Sequence, residues 1–116
     1  GLAVGESLLR AHPDLVGIAC SSGTGGPSLA RVLQGPEFKD RIGKLKIVAF
    51  DDLDLTKQAI SDSIVDATVV QRPVQMGVHS IQWAHDVSTG KADPACAVID
   101  TGVTVVANDH LDSYTK

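Results

Sequence analysis

Aromatic residues are nearly missing from this chain of 116: Phe38, Phe50, Trp83 and Tyr114 are all it has. A pocket that holds a sugar or a nucleotide unaided usually offers flat apolar faces, so this chain alone is poorly supplied for one. Cysteine is as scarce. Cys20 and Cys96 have no close pair, which excludes CxxC redox chemistry and a cysteine-based zinc site and leaves the compartment open. Cys20 closes an apolar run and reads as a buried small hydrophobe. No hydrophobic stretch approaches the roughly 20 residues that a bilayer-spanning helix needs. Positive charge is short too, with 10 Lys and Arg against 14 Asp and Glu, a net charge of −4. Lys39, Arg41, Lys44 and Lys46 gather, but Glu37 and Asp40 interleave with them. That cluster reads as a solvated surface rather than a nucleic-acid patch. His12, His79, His85 and His110 are spread without metal-ligand spacing.

What is present is a regular alternation. With 43% apolar residues, a chain of this length makes one domain and buries roughly two-thirds of its unfolded surface. Leu15–Cys20 reads as a first strand and Pro27–Leu33 as the helix after it, with proline in its first turn. Leu45–Phe50 reads as a second strand, Leu55–Asp62 as a helix and Asp66–Val70 as a short β-branched strand. Pro73–Gly90 is the longest helical run, with Val74, Val78, Ile81 and Ala84 on one stripe and Gly90 as its stop. Val98–Ala107 is strand-like, with a break at Gly102. Strands alternating with helices at this pace imply βα units and a parallel sheet. In such sheets ligands sit beyond the carboxyl ends of the strands. The chain also opens inside helix-like sequence, Val4–His12, with no charged-then-apolar leader, and it reads as a piece of something longer.

Three strand ends carry candidate chemistry. The stretch SSGTGGPSLA (Ser21–Ala30) joins a strand to a helix N-terminus, where free N–H groups suit an anion or a hydroxyl-rich ligand. It fails the named phosphate motifs. No lysine follows Gly26 as a P-loop requires, and position 28 is Ser28 where the dinucleotide fingerprint wants glycine. Two readings stay open: a tight turn capped by Ser22 or Thr24, or a contact to a neutral, hydroxyl-bearing ligand. FDDLD (Phe50–Asp54) places three carboxylates just past a strand. A cation site would need an oxygen-rich loop with a closing glutamate, and acid–base catalysis would need a partner; neither is arranged nearby. A carboxylate that accepts two vicinal hydroxyls side by side fits a strand end best, with a helix cap at Asp54 or plain solvation for the others. Gln71 ends the next strand and can donate and accept at once, as hydroxyls do.

The runs KIVAFDD, QAISDSIVDATVVQRPVQMGVHS and AVIDTGVTVVANDHLDSY together resemble the C-terminal part of the periplasmic sugar-binding proteins of ABC transporters, the ribose/galactose-type group. The resemblance covers the chain from Leu8 to its end. It implies an incomplete α/β lobe of the periplasmic binding protein-like I fold, a parallel sheet in three α/β/α layers. Residues 1–116 would be a fragment of the second of two lobes, and 72–116 would include segments that return to the hinge and the other lobe. It further implies that Asp51 and Gln71 bind sugar hydroxyls. A third contact, commonly asparagine followed by aspartate, falls on Ser22, with Gly23 in the aspartate's place. Serine is shorter than asparagine and lacks its two-ended amide, so the ligand differs there or water intervenes. A glycine that the family favours falls on Ser63.

The function so implied is non-catalytic: a sugar or polyol clamped between two lobes for delivery to a membrane permease, with no metal, cofactor or nucleic acid. The setting would be periplasmic or extracellular, with any signal peptide outside this chain. Half a clamp leaves apolar surfaces uncovered, so a homo-oligomer through them is a further expectation. Two alternatives come from other classes. The ligand-sensing domain of a lactose-repressor-like regulator is similar in fold and would follow a helix-turn-helix, and an enzyme would use the Asp51–Asp54 carboxylates.

Overall fold

The computed structural model describes residues 1–95 and 98–114. The reading of Cys96 lies outside them. The chain forms two compact units, Gly1–Val70 with Val105–Lys116, and Gln71–Thr104. In order, the elements are α1 (Leu2–Ala11), β1 (Gly17–Ala19), α2 (Gly25–Leu33), β2 (Lys46–Phe50), α3 (Asp54–Ser61), β3 (Ala67–Gln71), α4 (Pro73–Ser88), β4 (Val103–Ala107) and α5 (Leu111–Tyr114). The strands lie in the order β1-β2-β3-β4. β1 runs parallel to β2 with Ile18 opposite Ile47, and β2 runs parallel to β3 with Phe50 opposite Val69. Parallel neighbours need a crossover, and α2 and α3 supply the two. The expected α/β architecture with parallel strands is therefore found.

Alternation along the strands decides which face is core. In β2, Ile47 and Ala49 are buried while Lys46 and Val48 are exposed; in β3, Thr68 and Val70 are buried. The buried face packs against Leu29, Ala30, Val32 and Leu33 of α2 and Ala59 and Ile60 of α3, with Leu9 of α1, Phe38, Leu45, Ile64 and Val65 completing the cluster. The opposite face stays open in the first unit, with Val48 39% and Val105 61% exposed. No helix among the described residues is long and apolar enough to cross a membrane.

Several boundaries and roles differ from the sequence reading. β1 is shorter than Leu15–Cys20, spanning only Gly17–Ala19. β4 starts at Val103 rather than Val98, because Gly102 turns the chain with a φ of +70°. The apolar stripe of α4 meets no core: none of its residues is buried, and Val74, Val78 and Ile81 stand exposed. Periodicity showed which residues share a face, not whether anything covers it. The basic cluster is more than solvated surface. Arg41 donates to the carbonyls of His12 and Leu15 and fastens the loop before β1. Lys46 pairs with Asp66 at 2.8 Å. Cys20 is half-buried rather than buried, and that burial pushes its thiol pKa up.

Two details of the α3–β3 connection have testable consequences. Ser63 holds a φ of +57°, the left-handed conformation in which glycine is at ease. The turn that glycine would make is thus kept by serine under strain. Ser63→Gly is expected to raise stability by about 1 kcal/mol, read from the denaturant midpoint, after allowing for glycine's larger unfolded-state entropy. An unchanged or lower midpoint would contradict this.

At the start of the same strand pair, Asp66 accepts from Lys46 Nζ at 2.8 Å and from the Ile47 N–H at 2.7 Å. Burial pushes the Asp66 carboxyl pKa up, but these two bonds outweigh it, and the group is held below the usual aspartate range. A lowered folded-state pKa stabilises fully above the ordinary aspartate value of about 3.9. That contribution is lost as pH falls through the lower folded value. Asp66→Asn is therefore expected to melt below the parent at neutral pH and to converge on it at about pH 2. Parallel melting curves across the range would contradict the assignment.

Candidate functional site

The carboxyl ends of β1 and β2 meet at one rim. Past β1, the Ser22 carbonyl accepts from the Gly25 N–H at 3.0 Å, turning the chain into α2. Past β2, Asp51 takes a φ of +65°, which is uncommon for a residue with a side chain. Its backbone is held on both sides. The Asp51 N–H donates to Val69 O at 2.8 Å, and its carbonyl accepts from the Thr68 hydroxyl at 2.7 Å. The Asp51 side chain lies against the glycine turn: a Cβ on Gly23 would fall 3.1 Å from Asp51 Oδ2. The turn carrying Ser22 and the carboxylate of Asp51 are thus neighbours. Gln71 is the half-buried last residue of β3 and belongs to the second unit.

The glycine turn works by clearance. None of Gly23, Gly25 and Gly26 has a positive φ. Instead, a Cβ at Gly25 would come within 2.9 Å of Cys20 Cβ, and one at Gly26 within 2.6 Å of Ala49 Cβ. α2 starts so close to Cys20 and β2 that its first two residues have no room for side chains. The cap reading of this turn is corrected. Thr24 is the N-cap residue but already has helical backbone angles and makes no side-chain cap bond, and neither does Ser22.

The three carboxylates of FDDLD have separate surroundings. Asp52 Oδ2 accepts from the Tyr114 hydroxyl at 3.0 Å, and burial followed by that bond raises the tyrosine pKa. Asp54 pairs with Lys57 Nζ at 2.8 Å, which holds its carboxyl low and lifts the lysine. Asp54 is the first residue of α3, and Leu53 takes the cap position that the sequence reading gave it. Among the described residues, no three His, Cys, Asp or Glu side chains come together as a metal-binding group. Asp51 is thus the carboxylate set at the rim beside the glycine turn.

Sequence reasoning missed two partners of this rim. Thr68 and its bond to Asp51 carried a weak signal: a hydroxyl at a buried position of an alternating strand needs a partner. The Tyr114–Asp52 bond joins residues too far apart in the chain for any local pattern to reveal.

No protein-family model matches the chain. Relatives are nonetheless clear. The ribose import binding protein of Escherichia coli strain K12 is 29% identical over 105 residues, 90% of this chain and 34% of its own length. Among solved structures, an ABC transporter solute-binding protein from Burkholderia graminis, in complex with D-arabinose, is 43% identical with a TM-score of 0.86. The match covers 99% of this chain and 39% of that one. A carbohydrate transporter solute-binding protein from Agrobacterium radiobacter, also with D-arabinose, is 26% identical with a TM-score of 0.75, over 95% of this chain and 36% of that one. The homologues are sugar-binding proteins of ABC transporters, and the chain spans about a third of the length of the curated relatives it matches.

Clearance at Gly26 can be tested directly. Gly26→Ala would drive a methyl group into Ala49, and overpacking of this kind costs about 1–3 kcal/mol. Chemical denaturation is expected to show that loss, whereas parent-like stability would mean that α2 has room to move.

Proposed function

We propose that this chain is part of one lobe of a non-catalytic sugar-binding protein serving an ABC importer, and that Asp51, Gln71 and Ser22 are its contacts to a pentose or a related polyol. The observation that carries the reading is Asp51, set at a strand's carboxyl end beside an open glycine turn with its backbone pinned on both sides. An ionised carboxylate only accepts hydrogen bonds and can take two vicinal hydroxyls together, which suits a neutral sugar and not a phosphate. Gln71 adds a side chain that both gives and takes, and Ser22 adds a short hydroxyl. D-arabinose in two of the similar structures and ribose in the name of a curated relative support a pentose.

The importer reading brings its setting with it. The protein would work in the periplasm or outside the cell and present its closed, sugar-loaded form to a membrane permease. An isolated chain of this length would bury its open sheet face, with exposed Val48 and Val105, against a second copy of itself.

Calorimetry on the full-length protein with D-arabinose, D-ribose and a sugar phosphate tests the reading. Saturable binding of a pentose, no binding of the phosphate and no turnover are expected. Asp51→Ala removes a charge-assisted acceptor worth about 1.5–3 kcal/mol, so affinity should fall about ten- to a hundredfold. Unchanged affinity in that variant, or chemical conversion of the sugar, would overturn the proposal.

A further inference from the structure

Asp51 is held unusually for a residue whose side chain must meet a ligand. Its backbone is left-handed, with a φ of +65°. Aspartate visits that conformation more readily than most L-residues, but it still carries strain, and neighbouring groups hold it there. Two of them are visible. The Val69 carbonyl accepts from the Asp51 N–H, a bond that continues the β2–β3 ladder. The Thr68 hydroxyl reaches the Asp51 carbonyl at 2.7 Å from a fully buried position between partly buried Ala67 and Val69. A buried hydroxyl costs free energy unless it is bonded, and valine would fill nearly the same space without that cost. Threonine at this position therefore exchanges a simpler core for a grip on the end of the neighbouring strand, β2. On the far side, the absent Cβ of Gly23 leaves the carboxylate its place; a methyl group there would lie 3.1 Å from Oδ2 and 3.4 Å from the Asp51 Cβ.

We propose that Thr68 and Gly23 are positioning residues that together aim the Asp51 carboxylate: Thr68 fixes the backbone from which it projects, and Gly23 keeps its position clear. The inference rests on the reading of Asp51 as a sugar contact and extends it to two residues that need not touch the sugar.

The test separates the hydroxyl of Thr68 from its bulk. Thr68→Val keeps the volume and loses the hydroxyl, whereas Thr68→Ser keeps the hydroxyl and loses a methyl group. In the full-length protein, D-arabinose affinity by calorimetry should fall at least about tenfold in Thr68→Val and stay within about threefold of the parent in Thr68→Ser. A merely structural role would give the reverse or an equal order, because the serine variant is the one that leaves a cavity. Gly23→Ala should also lose at least about tenfold in affinity, with little change in melting temperature. A readout independent of sugar comes from the Asp51 13Cα and 13Cβ chemical shifts, which report its backbone conformation. They should leave the left-handed range in Thr68→Val and remain there in Thr68→Ser. Parent-like affinities and shifts in both Thr68→Val and Gly23→Ala, with binding lost in Asp51→Ala, would overturn this inference and leave the sugar reading standing. Unchanged affinity in Asp51→Ala would overturn the sugar reading, and the backbone shifts would still decide whether Thr68 is the anchor.

Discussion

The parallel pairing of β2 with β3 is the constraint on which the rest of this structure depends. At its start, Asp66 takes the Ile47 N–H and the Lys46 ammonium, which fixes where β3 begins against β2. At its end, the Val69 carbonyl accepts from the Asp51 N–H and the Thr68 hydroxyl donates to the Asp51 carbonyl. The same register that buries Ile47, Ala49, Thr68 and Val70 on one face therefore brings Asp51 to the rim. A slip of one residue would exchange the buried and exposed faces and carry the carboxylate away from the glycine turn. Core and site share one alignment.

Close packing of α2 completes the rim. Its first turn sits so near Cys20 and β2 that Gly25 and Gly26 have no space for a side chain, and the third glycine, Gly23, borders the Asp51 carboxylate. In a phosphate-binding loop, glycines let the backbone approach the ligand. Here they let a helix approach a sheet and leave a carboxylate its room. The same residue type at the same place in an α/β fold thus borders a carboxylate instead of cradling a phosphate.

Much of this was legible in the sequence. Alternating strand-like and helical runs identified the parallel sheet; strand ends pointed to the Ser21–Gly26 turn, the Asp51–Asp54 carboxylates and Gln71, and the resemblance singled out Asp51 and Ser22 among them. The likeness to sugar-binding proteins was carried by KIVAFDD, ATVVQ and IDTGV. What stayed hidden depends on three-dimensional neighbours. Asp54 was a plausible helix cap until Lys57 claimed its carboxylate and Leu53 its position. Thr24 was a plausible cap until its backbone proved helical. The stripe on α4 was correctly periodic, but periodicity cannot say that Val74, Val78 and Ile81 remain uncovered. The left-handed backbone of Ser63 was foreshadowed only by the resemblance, which puts a glycine there, and that of Asp51 had no local pattern to announce it.

Sugar binding, as proposed, would use a short carboxylate-bearing rim that supplies only part of a binding site. That agrees with the scarcity of aromatics and with relatives about three times as long as this chain. The most direct measurement is a crystal structure of the full-length protein with D-arabinose. Two sugar hydroxyls are expected within hydrogen-bonding distance of the Asp51 carboxylate, with others at Gln71 and at Ser22 or a water it holds. A sugar bound elsewhere, with Asp51 facing solvent, would contradict this.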